Sequence, residues 1–257
     1  MLLDQALRIW KKNGGKDWTN IGQGYVNVLS SGKLVTFSNN EILVSLNEGQ
    51  TWTKKGEFKS KFIRFFNLND TMVVGCAFNG LLISKDDGNS WQRFDIPGFS
   101  DVNFRTALIT PNRTILAAYS STDRGMGILC SKDGGTHWEK VADELFVFSL
   151  FYHDGYVYVG SYSKGVLRSA DNGTTWQTFN NGLRSIDEYV SVTSFATFRN
   201  TLYCGTLGKG TFQFSISSGT WQAFNAGLTN MSVWDLFADI NGVLAATKTG
   251  IFQLNGD

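Results

Sequence analysis

The chain has little histidine, an odd handful of cysteines, no excess of either charge and no long apolar run, and each shortage removes a class of function. Two histidines, His137 and His153, in 257 residues exclude most His-dependent catalytic triads and histidine-built zinc sites. Cys76, Cys130 and Cys204 are odd in number and lie in apolar runs (VVGCAF, GILCSK, LYCGT). They read as buried free thiols rather than a disulfide framework or a metal set. Lys plus Arg is 23 against 22 for Asp plus Glu, so no global field steers the protein to nucleic acid or an anionic membrane. No segment approaches the roughly 18 apolar residues of a membrane helix. The opening MLLDQALRIWKKNGG lacks the apolar core of a signal peptide. A cytoplasmic location is the default expectation, and an extracytoplasmic one if a leader was removed. No Gly-rich turn leads from a strand into a helix, so a phosphate-binding loop is not expected, and neither is a cofactor.

What the chain does contain is 28 Gly, 20 Phe, 8 Trp and 8 Tyr, a composition suited to many short strands joined by tight turns. Hydrophobic residues at 42% against 18% charged exclude disorder. Self-similarity then decides the architecture. SLNEGQTW (Ser45 to Trp52), SKDDGNSW (Ser84 to Trp91), SKDGGTHW (Ser131 to Trp138) and SADNGTTW (Ser169 to Trp176) share the pattern Ser-x-Asp-x-Gly-x-Thr-Trp. SISSGTW (Ser215 to Trp221) is one residue short, and KKNGGKDW (Lys11 to Trp18) keeps only the Asn, the Gly and the Trp.

The chemistry of this octapeptide is structural. Asn47, Asp86, Asp133 and Asp171 are placed to accept backbone N–H groups inside a turn. Gly49, Gly88, Gly135 and Gly173 supply positive φ. Trp52, Trp91, Trp138 and Trp176 open the next strand and bury a ring between sheets. The carboxylates are too few for a calcium loop, so no metal is expected.

These octapeptides resemble the Asp box, or BNR repeat, of sialidase-like, sortilin-like and photosystem-assembly-factor-like propellers, over essentially the whole chain. The phrase FNNGL (Phe179 to Leu183) and its echo FNAGL (Phe224 to Leu228) are similar to the assembly factors in particular. The resemblance implies a β-propeller and, for function, protein assembly as readily as glycan binding.

The same four-strand order recurs around each octapeptide. VFSLFYHD, YVYVGSY, GVLRS and TWQTF are the four strands of blade four, with the octapeptide between the third and fourth. The expected fold is therefore all-β: one propeller domain over residues 1–257, with six four-stranded antiparallel blades. After Trp221 the chain supplies a blade lacking only its last strand, and residues near Trp18 are expected to complete it, leaving no open edge. A seventh blade remains open if Leu7 to Trp10 pairs as an extra strand.

In such a meander the octapeptides share one face, and the loops that vary in length crowd the other, the usual location of binding. The second position of each first strand is Asn27, Arg64, Arg105, Phe148, Thr193 or Trp234, a diversity scaffolding does not require. Arg64, Arg105 and Arg184 would meet an anionic group, Phe148 and Trp234 would offer apolar or stacking surface, and Asp235 follows Trp234. The same face should carry Arg124, Lys164, Lys209 and Lys248. Two readings stay open: a site for an anionic glycan or acidic peptide, or arginines paired with carboxylates inside the channel. Sialidases use an Arg-Ile-Pro motif and three arginines. Here Ile96 and Pro97 follow Asp95, and no third arginine matches, which argues against sialidase activity. A two-carboxylate glycosidase would need Asp235 with Asp187 or Glu188 across the face. The expected role is a non-catalytic binding or scaffolding module for a protein or glycan, monomeric unless part of an assembly. A carbohydrate-active propeller enzyme is the alternative.

Overall fold

The computed structural model describes residues 8–12, 18–23, 26–29, 31–59, 63–67, 72–77, 80–94, 96, 98–99, 102–183 and 190–254. Among them there is no helix. β1 (Arg8–Lys12) and β2 (Trp18–Gln23) pair with each other. Six antiparallel sheets follow in chain order. The first holds β3 (Val26–Val28), β4 (Leu34–Ser38), β5 (Glu41–Ser45) and β6 (Thr53–Glu57); the second holds β7 (Ile63–Asn67), β8 (Val73–Ala77), β9 (Gly80–Ser84) and β10 (Gln92–Phe94). The third is β11 (Asn103–Ile109), β12 (Ile115–Ser121), β13 (Gly125–Ser131) and β14 (Glu139–Asp143). The fourth is β15 (Val147–His153), β16 (Tyr156–Ser161), β17 (Val166–Ser169) and β18 (Gln177–Thr178). The fifth is β19 (Val192–Phe198), β20 (Thr201–Thr206), β21 (Gly210–Ser215) and β22 (Thr220–Ala223), and the sixth is β23 (Val233–Asp239), β24 (Gly242–Thr247) and β25 (Gly250–Leu254).

Strand composition follows position within each sheet. VVGCA of β8 and GLLIS of β9 are buried throughout, because a middle strand packed on both faces has no reason to alternate polar with apolar. The fourth strands, TKKGE in β6, QRF in β10 and EKVAD in β14, hold no fully buried residue. Two compact units divide the chain, Met1–Arg124 with Ser131–Trp138 and Gly125–Cys130 with Glu139–Asp257. In the first, Leu29, Val35 and Val44 pack on Phe65, Val73 and Leu82 of the next sheet. In the second, Tyr158 and Val166 pack on Val192, Phe195 and Cys204, and Ala196 and Tyr203 pack on Val233, Leu236 and Val243. Each fully buried aliphatic or aromatic side chain contributes roughly 1.5–3 kcal/mol. The three cysteines are buried free thiols, and burial pushes the Cys204 thiol well up.

Four first strands carry a bulge at the same place. The ladder skips from Phe104 to Thr106, from Val147 to Ser149, from Val192 to Ser194 and from Val233 to Asp235. Arg105, Phe148, Thr193 and Trp234 are the residues left out. The bulge resets the alternation by one, so Val147 and Leu150, three apart, are both buried, as are Val192 and Phe195 and Val233 and Leu236. In sheets four and five a glycine stands across from the bulge, whereas Ala118 and Ala246 hold that place in sheets three and six. A Cβ on Gly160 would meet the Val192 carbonyl oxygen at 2.6 Å, and one on Gly205 would meet Val233 Cγ1 at 2.7 Å. The missing side chain lets the next sheet's first strand approach.

The N-terminal strand is expected in the last blade; among the described residues β2 is hydrogen-bonded to β1, and the sixth sheet has three strands. Neighbouring segments close a short loop at small entropic cost, whereas joining the ends of the chain closes a very long one. β1 includes the Arg8–Trp10 stretch considered for an extra blade, here as half of a two-stranded sheet.

Candidate functional site

Each sheet has two ends, and the octapeptides occupy one of them. In all four, the Ser hydroxyl donates to the third residue's side-chain oxygen: Ser45 to Asn47 at 3.0 Å, Ser84 to Asp86 at 2.8 Å, Ser131 to Asp133 at 2.9 Å and Ser169 to Asp171 at 2.7 Å. The same hydroxyl accepts the Gly N–H at 2.8–2.9 Å. The third residue also accepts the N–H of the seventh, Thr51, Ser90, His137 or Thr175. Two consecutive residues take positive φ, as in Asp87 (57°) and Gly88 (77°) or Gly134 (74°) and Gly135 (97°). The glycine is also a packing requirement, since a Cβ on Gly135 would come within 2.5 Å of Ile83 Cδ1 in the preceding sheet.

These carboxylates are absorbed by their own turns. Burial raises the Asp171 pKa, but the Thr175 hydroxyl and N–H and the Ser169 hydroxyl together outweigh it and hold the group at about 2. At Asp133, hydrogen bonds from the His137 N–H and ring hold the carboxyl far below its ordinary range. His137 Nδ1 lies 2.5 Å from Asp133 Oδ2, doing the work of the usual Thr hydroxyl. No group of three or more His, Cys, Asp or Glu among the described residues is arranged to hold a metal ion.

The other end of each sheet holds the bulges. In sheet four the register Val147↔Ser161 and Val157↔Ser169 puts Phe148 and the octapeptide at opposite ends. Phe148 and Trp234 therefore come to one rim of the second unit, with Asp235, whose Oδ1 accepts the Leu236 N–H at 2.9 Å. Thr193 on that rim is structural: its hydroxyl donates to Val233 O at 2.8 Å and Gly205 O at 3.1 Å, tying sheet five to sheet six. Arg105 is exposed on the β11 bulge in the first unit. Arg64 lies opposite Cys76 on β7 without a bulge; its side chain, and all of Arg184, lie outside the described residues.

The loops on this rim are built alike. After β16 and β20 come Ser161-Tyr162-Ser163-Lys164-Gly165 and Thr206-Leu207-Gly208-Lys209-Gly210. Ser161 and Thr206 hydroxyls close them by donating to Gly165 O at 2.9 Å and Gly210 O at 2.8 Å. The FNNGL and FNAGL phrases clamp them from outside. Asn180 Oδ1 accepts the Val166 N–H at 2.7 Å while its Nδ2 donates to Lys164 O at 2.9 Å. Asn225 repeats this on Thr211 and Lys209.

Sequence reasoning passed over Phe146, Tyr162, Leu207 and Met231. Phe146 meets Phe148 edge-on at 5.3 Å and Tyr162 at 6.0 Å. The repeat of Ser/Thr-x-x-Lys-Gly with a large residue at its second place was the available signal.

No protein-family model matches the chain, and no curated protein matches it. Solved structures do. PorZ, an essential surface component of the type-IX secretion system of Porphyromonas gingivalis, superposes with a TM-score of 0.70 at 15% identity, covering 96% of this chain and 42% of its own. An ancestral GH74 enzyme gives 0.67 at 21% identity, covering 88% and 35%. YCF48 bound to D1 peptide gives 0.63 at 17% identity, covering 95% and 85%. The chain thus spans about a third of the GH74 enzyme's length and less than half of PorZ's. Likeness at these identities establishes the fold: the six antiparallel sheets are those of a six-bladed β-propeller.

Proposed function

We propose that this chain is a binding or scaffolding propeller without chemistry of its own, and that its ligand docks on the rim opposite the octapeptide turns. On this reading residues 1–257 form one domain and the octapeptides are Asp boxes of the sialidase-like and assembly-factor-like kind, retained for architecture. One observation carries the reading. Turns, clamps and bulge positions repeat from sheet to sheet, yet the residue at the bulge changes from Arg105 to Phe148 to Trp234. Bulges re-aim a side chain out of the ladder and are frequent beside functional sites. The peptide bound to YCF48 and the surface-component role of PorZ show what the same fold does elsewhere, and favour a protein ligand.

The alternative is a carbohydrate-active enzyme, which the GH74 likeness raises. It needs two carboxyl groups roughly 5–9.5 Å apart. Asp235 is a candidate for one, and its expected partners Asp187 and Glu188 lie outside the described residues. A peptide array and a glycan array, each probed with the wild type and with Phe148→Ser/Trp234→Ser, separate these readings. Binding lost in the double variant at unchanged melting temperature supports the module. Rim-independent binding overturns the site, and hydrolysis of an arrayed glycan overturns the non-catalytic reading.

A further inference from the structure

The geometry points to an extended acidic peptide with apolar side chains as the ligand of the second unit's rim, an inference that rests on the binding role just proposed. Four large side chains stand exposed there: Tyr162 at 57%, Leu207 at 38%, Met231 at 41% and Trp234 at 51%. Single exposed apolar residues are ordinary, but a contiguous set marks an interaction surface. Hydrogen bonds bring the loops that carry them side by side. Tyr162 N–H donates to Phe146 O at 2.9 Å, the Ser191 hydroxyl donates to Tyr162 O, and Leu207 N–H donates to Ser191 O at 3.0 Å. Gly208 and Gly210 N–H groups both reach Met231 O, at 3.0 and 2.8 Å. The row therefore runs from sheet four through five to six on a frame whose amides are already engaged, and holding it in place costs a ligand little ordering entropy.

Charge narrows the partner. The loop between the second and third strands of each of sheets four to six carries a lysine: Lys164 and Lys248 are exposed, and Lys209 is half-buried. Among the described residues the carboxylates on this rim are Asp235, engaged by the Leu236 N–H, and at the sheet-three end Glu144 and Asp143, the latter held by Lys140 at 2.5 Å. Lys164 and Lys209 thus rise from the same loops as Tyr162 and Leu207, which suits a chain alternating carboxylate and apolar side chains, as an extended peptide presents them. Leu207 and Met231 are aliphatic and adaptable, a surface for apolar side chains and not for sugar hydroxyls, which need side-chain donors and acceptors.

The test is fluorescence anisotropy with three labelled 12-residue peptides: Glu alternating with Leu and Phe, the same with Lys for Glu, and the same with Ser for the apolar residues. The first should bind at least tenfold tighter than either control. Lys164→Glu/Lys248→Glu should weaken it at least tenfold and strengthen the Lys peptide; Leu207→Ser/Met231→Ser should weaken it at least tenfold. Leu46→Ser on an octapeptide turn and Ile216→Ser on the shortened turn, both exposed, should change nothing, and every variant should keep the wild-type melting temperature. Equal binding of all three peptides, or indifference to the rim variants, overturns the inference. So does capture of a sulfated oligosaccharide by the same lysines in place of the peptide, or self-association of the wild type abolished by Trp234→Ser. Rim-dependent array hits with an indifferent acidic peptide leave the binding module standing and remove this partner alone. With no rim-dependent binding in either experiment, both fall.

Discussion

Asn180 Oδ1 accepts the N–H of Val166, fourteen residues earlier, at 2.7 Å. Val166 is fully buried, and the same amide fixes the Lys164 carbonyl. Asn180→Ala leaves a buried donor unpartnered, a cost of roughly 1–3 kcal/mol. Thermal unfolding should drop by about 2–4 °C per kcal/mol for a chain of this size. Asn180→Asp keeps the acceptor but sets a carboxylate against the Lys164 carbonyl, so it should recover only part of the loss. A wild-type melting curve for Asn180→Ala would show the clamp to be incidental.

That clamp shows where sequence reading stops. The octapeptides announce themselves by spacing and type, and the bonds from Ser84 to Asp86 and from Gly88 to Ser84 are those the residues imply. The strands of blade four were legible because VYVGS and VLRS are short apolar runs between turn residues. The bulges were not, although Val147 and Leu150 stand three apart and both are buried, a spacing that period-two reading treats as noise. Loop exposure was also hidden. Tyr162 and Leu207 point outward because Asn180, Asn225 and Ser191 hold their loops from distant positions, and local pattern carries no record of that. The partner of β2 is equally hidden from local pattern: two segments compete for one strand, and the choice depends on loop closure.

Gly160 isolates the packing between consecutive sheets. It lies opposite Ser149 on β16, and an added Cβ would meet both Ser149 Oγ and the Val192 carbonyl oxygen at 2.6 Å. A backbone atom cannot rotate away, so Gly160→Ala should cost roughly 1–3 kcal/mol through overpacking alone. Gly155→Ala is the contrast, with φ of 81° and nothing within 4 Å of the new Cβ; its cost is conformational, about 1–2 kcal/mol. Removing the Ser149 hydroxyl should relieve part of the first variant and none of the second. Chemical denaturation of Gly160→Ala, Gly155→Ala and each combined with Ser149→Ala measures the difference. Equal rescue in both backgrounds would refute the steric account.

Asp171 ties an octapeptide's stability to acid. Its carboxyl is held at about 2, against an ordinary 3.8, by Thr175 and Ser169. A group with a depressed folded pKa contributes stability that is fully present above the unfolded value and is lost as pH falls through the folded one. Wild type should therefore lose this contribution between about pH 4 and pH 2. The site is mostly solvent-exposed, so the effect stays below about 1 kcal/mol after screening. Asn47 shows what an uncharged residue does here: its Oδ1 still accepts Thr51 N–H at 2.9 Å, and its Nδ2 donates to the Thr51 hydroxyl at 2.9 Å. Asp171→Asn should accordingly fold, melt slightly below wild type at pH 7, and converge with it by pH 2. Asp171→Ala loses both partners and should melt lower at every pH. Parallel wild-type and Asn melting curves across the acid range would show that the carboxylate's charge does no work in the turn.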